Sequence, residues 1–298
     1  MAILLDGMMQ VYRANAKLQD LVTRDGKPTG LEFGFLKSLE ALKRYFKDET
    51  LIVCWEGRNN FRLKLDSEYK ANRRKKRAIG VTDHKPLDFS RVNEFKKIVE
   101  MVADTAQHDE LEADDIIANL TERYCQTEKV IIYSGDKDLL QLIRSKPFPV
   151  VQVKAYQQRE RPWNINRVAQ EYNGLKPSQL AMYLAILGDK SDNIPGVSRV
   201  RDALVCSAII NGYTAANMSD FELFSAREIH SLDSHYKSGR YDKNIQLVTL
   251  QLRDDIIVKK KDWQQNKIKD WLNSMEFATL GICKECGIDL SIRDEDEF

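Results

Sequence analysis

Short unbroken runs of branched apolar residues alternate along this chain with segments whose apolar positions recur every three or four residues. Ala2-Ile3-Leu4-Leu5, Leu51-Ile52-Val53-Cys54-Trp55 and Lys129-Val130-Ile131-Ile132-Tyr133 are runs of the first kind. They predict strands buried on both faces, as in a parallel sheet. Val150-Val151-Gln152-Val153 predicts a fourth strand. Met9 to Leu21 predicts a helix, followed by a turn at Asp25-Gly26-Lys27-Pro28. Leu31, Phe35, Leu39 and Leu42 fall at helical spacing before the second strand, and Val92, Phe95, Val99 and Val102 form another stripe. Ile116, Ile117 and Leu120 begin a helix that leads into the third strand. The alternation predicts an α/β fold with a mostly parallel central sheet flanked by helices. From about Trp163 the pattern turns helical. Leu180, Tyr183, Leu184 and Leu187 make a stripe that stops at Gly188, and Arg201 to Ile210 predicts the next helix. We therefore expect an α/β core over residues 1–160 and a helical region over 161–298 packed on it.

The polar positions matter most where the strands end. Asp6 and Glu56 close the first two runs, and the third leads through Ser134-Gly135 to Asp136 and Asp138. Ligands of parallel sheets bind beyond the carboxyl ends of the strands. Glu112-Ala113-Asp114-Asp115 adds three carboxylates just before a helix, with Glu112 either one turn from Asp115 or capping the helix. Acidic residues favour helix starts through the dipole, yet that preference does not explain carboxylates at three strand ends. Asp136 and Asp138 would point to one side of an extended segment. Asp189 and Asp192 occupy a loop rich in turn formers, and either pair could serve a turn alone. Jointly, nine carboxylates aimed at one place repel one another unless cations lie between them. Hard oxygen ligands favour Mg²⁺, with Mn²⁺ able to substitute, and nine carboxylates exceed what one ion can use. Two ions are expected.

Residues 59–90 are polar and basic, and carry Arg73-Arg74-Lys75-Lys76-Arg77. A cationic loop beside an acidic, metal-loaded pocket suits a polyanion whose phosphate reaches the ions. Tyr69 could stack on a base or simply pack. Composition adds bounds. The 298 residues can bury a full core, and 31% of them are charged, which reads as soluble and globular. The net charge of +1 is uninformative, because acidic and basic clusters cancel in the sum. Five cysteines without framework spacing suit a reducing cytoplasm, and Cys283 and Cys286 read as ordinary thiols. The apolar start is broken by Asp6 and has no basic leader, so neither a signal peptide nor a membrane span is expected.

These segments resemble the 5′-nuclease family, which includes the 5′-to-3′ exonuclease domain of bacterial DNA polymerase I and the phage flap endonucleases. The resemblance lies in Leu5-Asp6-Gly7, Phe61-Arg62 with Tyr69-Lys70-Ala71-Asn72-Arg73, Glu112-Ala113-Asp114-Asp115, Gly135-Asp136-Lys137-Asp138, and Gly188-Asp189-Lys190-Ser191-Asp192-Asn193-Ile194-Pro195-Gly196-Val197. It runs in order from residue 1 to about residue 210. It implies a two-metal nuclease with a helical arch over its site (about 59–92) and a helix-three-turn-helix element (about 175–212) gripping duplex DNA. By position, the family's metal carboxylates fall on Asp6, Glu56, Glu112, Asp114, Asp115, Asp136, Asp138, Asp189 and Asp192. Its arch lysine and arginine fall on Lys70 and Arg73. DNA contacts are expected from Arg62, Tyr69, Arg74, Lys75, Lys76, Arg77, Lys190, Ser191, Asn193 and Gly196.

There are departures from the family pattern. Glu56 stands where Asp is usual, one methylene longer. Arg199 and Arg201 stand where glycines are usual; glycines would let backbone N–H groups approach a phosphate. Arginine loses that approach but pairs with phosphate through its planar fork, so Arg199 or Arg201 is expected on the DNA backbone, with no potassium site. The expected activity is 5′-to-3′ exonuclease or flap endonuclease action by a monomer. Its substrate would be DNA with 5′ ends, flaps or nicks, and RNA/DNA hybrid is a further partner. The alternatives are a catalytically weakened structure-specific DNA-binding protein of this fold and a ribonuclease.

Overall fold

The computed structural model describes residues 1–47, 49–78, 86–154 and 161–277, with the backbone alone at 76–78. Five parallel strands make up most of a six-stranded sheet: β1 (Ala2–Asp6), β2 (Thr50–Trp55), β3 (Asp104–Gln107), β4 (Val130–Tyr133) and β5 (Val150–Val153). The spatial order is β5-β4-β1-β2-β3, so β1 lies at the centre. Leu5 sits beside Val53 on one side and Tyr133 on the other. That register brings Asp6, Glu56 and the Ser134–Asp136 turn to one edge. Successive strand side chains point to opposite faces, and the core divides accordingly. Ile3, Leu5, Val53 and Trp55 pack with α1 (Gly7–Lys17), α2 (Gly30–Tyr45) and α5 (Phe89–Val102). Leu4, Ile52, Cys54 and Ile132 pack on α6 (Ala113–Tyr124) on the other face. Between β2 and α5 lie α3 (Phe61–Leu65) and the basic α4 (Ala71–Ala78).

A third core belongs to the helices that follow: α7 (Ile165–Glu171), α8 (Leu180–Leu187), α9 (Asp202–Ile210), α10 (Ala226–Lys237) and α11 (Arg240–Val248). Val168, Leu180, Ile186, Val205 and Leu232 are buried there. The α8–α9 connection contains a two-residue hairpin, β6 (Gly188–Asp189) with β7 (Ile194–Pro195). Gly188 ends α8 at φ +75°, and a Cβ there would lie 2.4 Å from the Gly196 nitrogen. Only glycine fits this turn.

The expected split at residue 160 needs correction. A short strand, β8 (Val258–Lys259), runs antiparallel to β3, and α12 (Gln265–Ser274) buries Ile268 and Leu272 against the first core. The C-terminal segment thus returns to the α/β layers. β3 was not expected either: Asp-Thr-Ala-Gln is too short and polar to read as a strand, and pairing with β2 makes it one. Cys54, Cys125 and Cys206 are buried free thiols. Cys283 and Cys286 lie outside the described residues. No helix among the described residues is long and apolar enough to cross a membrane.

Candidate metal centre

Asp6 ends β1 and caps α1: one oxygen accepts the Met9 N–H at 2.9 Å and the other accepts the Ser134 hydroxyl at 3.0 Å. The Ser134 oxygen in turn accepts the Asp136 N–H at 3.1 Å. Gln152 on β5 donates to the Ser134 and Asp136 carbonyls at 3.0 and 2.6 Å, which fixes this loop from the neighbouring strand. Burial above all, with the Asp136 and Glu56 charges, lifts Asp6 to about 6 against those two hydrogen bonds. Burial and then the Asp136 and Asp6 charges push Asp114 well above the carboxylate range. Asp136 is raised too, chiefly by burial, while the Asp138 N–H and the Lys70 charge pull it the other way. Asp138 is raised well above its ordinary value by burial and by Asp136, Asp192 and Asp189. Carboxylates that burden one another in this way are short of positive charge.

Asp138, Asp189 and Asp192 form a second group, each offering an oxygen within 4.8 Å of the others. Asp138 starts a 3₁₀ turn, and its N–H donates to Asp136 at 3.0 Å, so the pair follows a turn rather than an extended segment. The β6–β7 hairpin carries Asp189 and Asp192, and the Ser191 N–H donates to Asp189 at 2.6 Å. The donors are all carboxylate oxygens. That set fits a hard divalent cation.

Two cations cross the acidic field. Lys70 Nζ lies 2.6 Å from Glu112 and 3.6 Å from Asp192, and Arg73 lies 2.6 Å from Asp192. Lys70 has left-handed backbone at φ +54°, held by its N–H on the Asp192 carbonyl at 2.8 Å. A non-glycine residue there is strained, and strain of this kind collects at functional sites. Glu112 sits at the α6 N-cap and also accepts Asn60 at 2.8 Å. Burial would raise it, but Lys70 and Arg62 hold it below its usual value.

Burial corrects some sequence expectations, and other candidates are exposed but already hydrogen-bonded within the protein. Asp115 is 0% exposed and forks with the guanidinium of Arg62 at 2.5 and 2.8 Å. It also accepts the Gln251 N–H at 2.8 Å, so both of its oxygens are engaged by protein donors. Arg62, 2% exposed, also donates to the Leu247 and Thr249 carbonyls and cannot meet DNA. Tyr69, 3% exposed, has its hydroxyl 3.0 Å from both Glu112 and Asp192, so it packs rather than stacks on a base. Arg201 is forked by Glu228 at 2.8 and 2.7 Å. Gly196 is required by packing, since a Cβ would meet the Leu187 oxygen at 1.9 Å. Arg74 donates to the Tyr69 and Ser67 carbonyls.

Other candidates lie at the rim. Lys190, Ser191 and Arg199 are exposed, with Arg199 at φ +58°, and Asn193 reaches Glu68 and Asn72. Lys75 is exposed on α4, while the Lys76 and Arg77 side chains lie outside the described residues. Glu56 adds to the raising of Asp6 and also faces Lys96. Ser134, Asn60 and Gln152 were missed. Only Gln152, a polar residue inside an apolar strand, carried a sequence signal.

A parallel sheet whose strand ends gather buried carboxylates beneath two cations defines a metal-dependent phosphodiester-processing class. Residues 1–173 match the family described as 5′-3′ exonuclease, N-terminal resolvase-like domain. The chain belongs to this family of nucleases, which are hydrolases. It is 30% identical over 201 residues to the 5′-3′ exonuclease of Buchnera aphidicola subsp. Acyrthosiphon pisum, covering 66% of each chain. It is 29% identical over 287 residues to that of Aquifex aeolicus, covering 93% of this chain and 92% of the other. The fold is shared with the phage T5 flap endonuclease in a pseudo-enzyme-product complex with DNA and metal ions. There the TM-score is 0.67 at 17% identity, covering 98% of this chain and 99% of that one.

Proposed function

We propose that the chain hydrolyses phosphodiesters of DNA near 5′ ends, flaps and nicks with two Mg²⁺ ions, Mn²⁺ being able to substitute. The observation that carries this reading is the Asp138, Asp189 and Asp192 cluster, with Lys70 and Arg73 both paired to Asp192 and Lys70 also to Glu112. Asp6, Asp114 and Asp136, with Glu112, would hold one ion; Asp138, Asp189 and Asp192 would hold the other. When bound, such ions acidify a water and neutralise charge on the scissile phosphate. Ser134 and Met9 keep the Asp6 carboxylate oriented, and Gln152 does the same for the Asp136 loop. Lys70 and Arg73 would donate to the non-bridging oxygens as charge builds there, a preorganised electrostatic contribution. Products would carry 5′-phosphate and 3′-hydroxyl ends.

Outside the centre, Lys75, Lys76 and Arg77 would steer the incoming strand, and α4 with α5 would frame the arch. Lys190, Ser191 and Arg199 on the α8–α9 connection would grip duplex phosphates as the helix-three-turn-helix element. With Arg201 bound to Glu228, the direct phosphate contact falls to Arg199. Asp115 and Arg62 would act as a buried pair that positions Glu112. The reading includes a monomeric, cytoplasmic protein. An end-labelled flap duplex, incubated with Mg²⁺ and separately with EDTA, tests it. Metal-dependent short 5′-phosphate products are expected. Binding without cleavage would favour the catalytically weakened alternative, and cleavage confined to an RNA 5′ strand would favour the ribonuclease.

A further inference from the structure

Asn244 is an amide in the middle of α11 with no exposure to water. Asparagine is a poor helix former, and a buried amide costs free energy unless it is hydrogen-bonded. Its Nδ2 group donates to carbonyls of two other elements, Ala185 at 2.9 Å and Pro195 at 2.8 Å. Ala185 lies in the last turn of α8, where carbonyls lack helical partners. Pro195 ends β7, the return strand of the hairpin that carries Asp189 and Asp192. Among the described residues, Asn244 Oδ1 has no hydrogen-bond partner, so the side chain is placed for its donor group. One amide thus holds the entry and the exit of the acidic hairpin to a single helix.

One turn further along, about 6 Å of rise, the same helix meets the other side of the cation cluster. The Val248 carbonyl at its end accepts Gln141 Nε2 at 3.0 Å, and Gln141 belongs to the 3₁₀ turn that begins at Asp138. Leu247 and Val248 also share a buried apolar cluster with Ala185 and Ile194. Asp138 and the hairpin aspartates come from separate segments, yet each offers an oxygen within 4.8 Å of the others. Hard divalent cations hold their oxygens at about 2.0–2.6 Å, so a shift of about 1 Å between the two segments would spoil the geometry. We propose that α11 sets the spacing of the Asp138, Asp189 and Asp192 site, with Asn244 the positioning residue on the hairpin side and Gln141 on the Asp138 side. Each acts through the backbone it holds, not by contact with the ion. The inference rests on the metal reading above and adds residues that the sequence did not tie to the site.

The test is Mn²⁺ uptake by the full chain without DNA, followed by electron paramagnetic resonance of the free ion. Asp138→Asn first identifies which bound Mn²⁺ belongs to the cluster. Asn244→Leu and Gln141→Met keep the side-chain volume and remove the donors. Each should weaken that same Mn²⁺ about tenfold, the low end for outer partners of metal ligands, and leave the other ion's affinity unchanged. Flap cleavage by both variants should fall at low Mg²⁺ and recover at high Mg²⁺, whereas Asp138→Asn should not recover. Folded variants that keep the wild-type Mn²⁺ affinity, even with a lower melting temperature, would overturn the proposal, because the two amides would then serve stability alone. Should Asn244→Leu fail to fold, Gln141→Met decides by the same measure. A wild type that takes up no Mn²⁺, or an Asp138→Asn chain that takes it up unchanged, would remove the metal reading itself before either variant is compared.

Discussion

Asp136 and Asp138 are half-buried and crowded by like charge, and Asp138 shares the oxygen cluster with Asp189 and Asp192. Asp136→Asn or Asp138→Asn should lower flap cleavage by about two orders of magnitude or more, while duplex affinity measured in EDTA stays near wild type. Arg62 is a different case. Its guanidinium neutralises Asp115, which has no exposure to water. Arg62→Met would leave that carboxylate buried and unpaired, a loss of about 3–5 kcal/mol, read as a lower melting temperature by circular dichroism. Cleavage by the fraction still folded should fall as well, because Arg62 also reaches Glu112 at 3.4 Å. An unchanged melt would show that Asp115 finds another partner.

Among the elements, the β6–β7 hairpin is the most sharply defined, since it sets two carboxylates through one glycine. Gly188→Ala adds a Cβ to a left-handed turn already filled by Gly196 and the Ile194 carbonyl. It should cost about 1–3 kcal/mol and lower cleavage more than duplex binding, as paired melting and kinetic measurements would show. The strands and helices with strong periodicity were legible beforehand. Leu31, Phe35, Leu39 and Leu42 are all buried on α2, as are Val92, Phe95, Val99 and Val102 on α5. The carboxylates were legible as a set because strand ends in a parallel sheet share an edge. What stayed hidden depends on partners distant in sequence. Arg62 and Tyr69 look like surface residues within a basic stretch, and only contacts with α6, α11 and the Asp192 loop bury them. Arg201 reads as a free cation until Glu228, 27 residues on, is brought beside it.

Over the whole molecule, packed cores join a carboxylate field that is short of cations. Millimolar Mg²⁺ at about 100 times its dissociation constant should add about 2.7 kcal/mol, seen as a melting temperature several degrees higher than in EDTA. A melt indifferent to Mg²⁺ would argue against an ion bound among these residues. Ending the chain at residue 253 would remove β8 together with Ile268, Leu272, Met275 and Phe277 from the first core. Loss of several buried side chains at about 2–5 kcal/mol each exceeds the usual margin of a domain, so that fragment should be recovered insoluble or unfolded.

The Lys70 N–H on the Asp192 carbonyl, Asn193 on the Glu68 carbonyl and Asn72 on Asn193 stitch together two stretches over a hundred residues apart. Such a seam behaves as a gear tooth between the basic helix and the acidic hairpin. A pull on α4 would therefore be felt at the turn that carries Asp192.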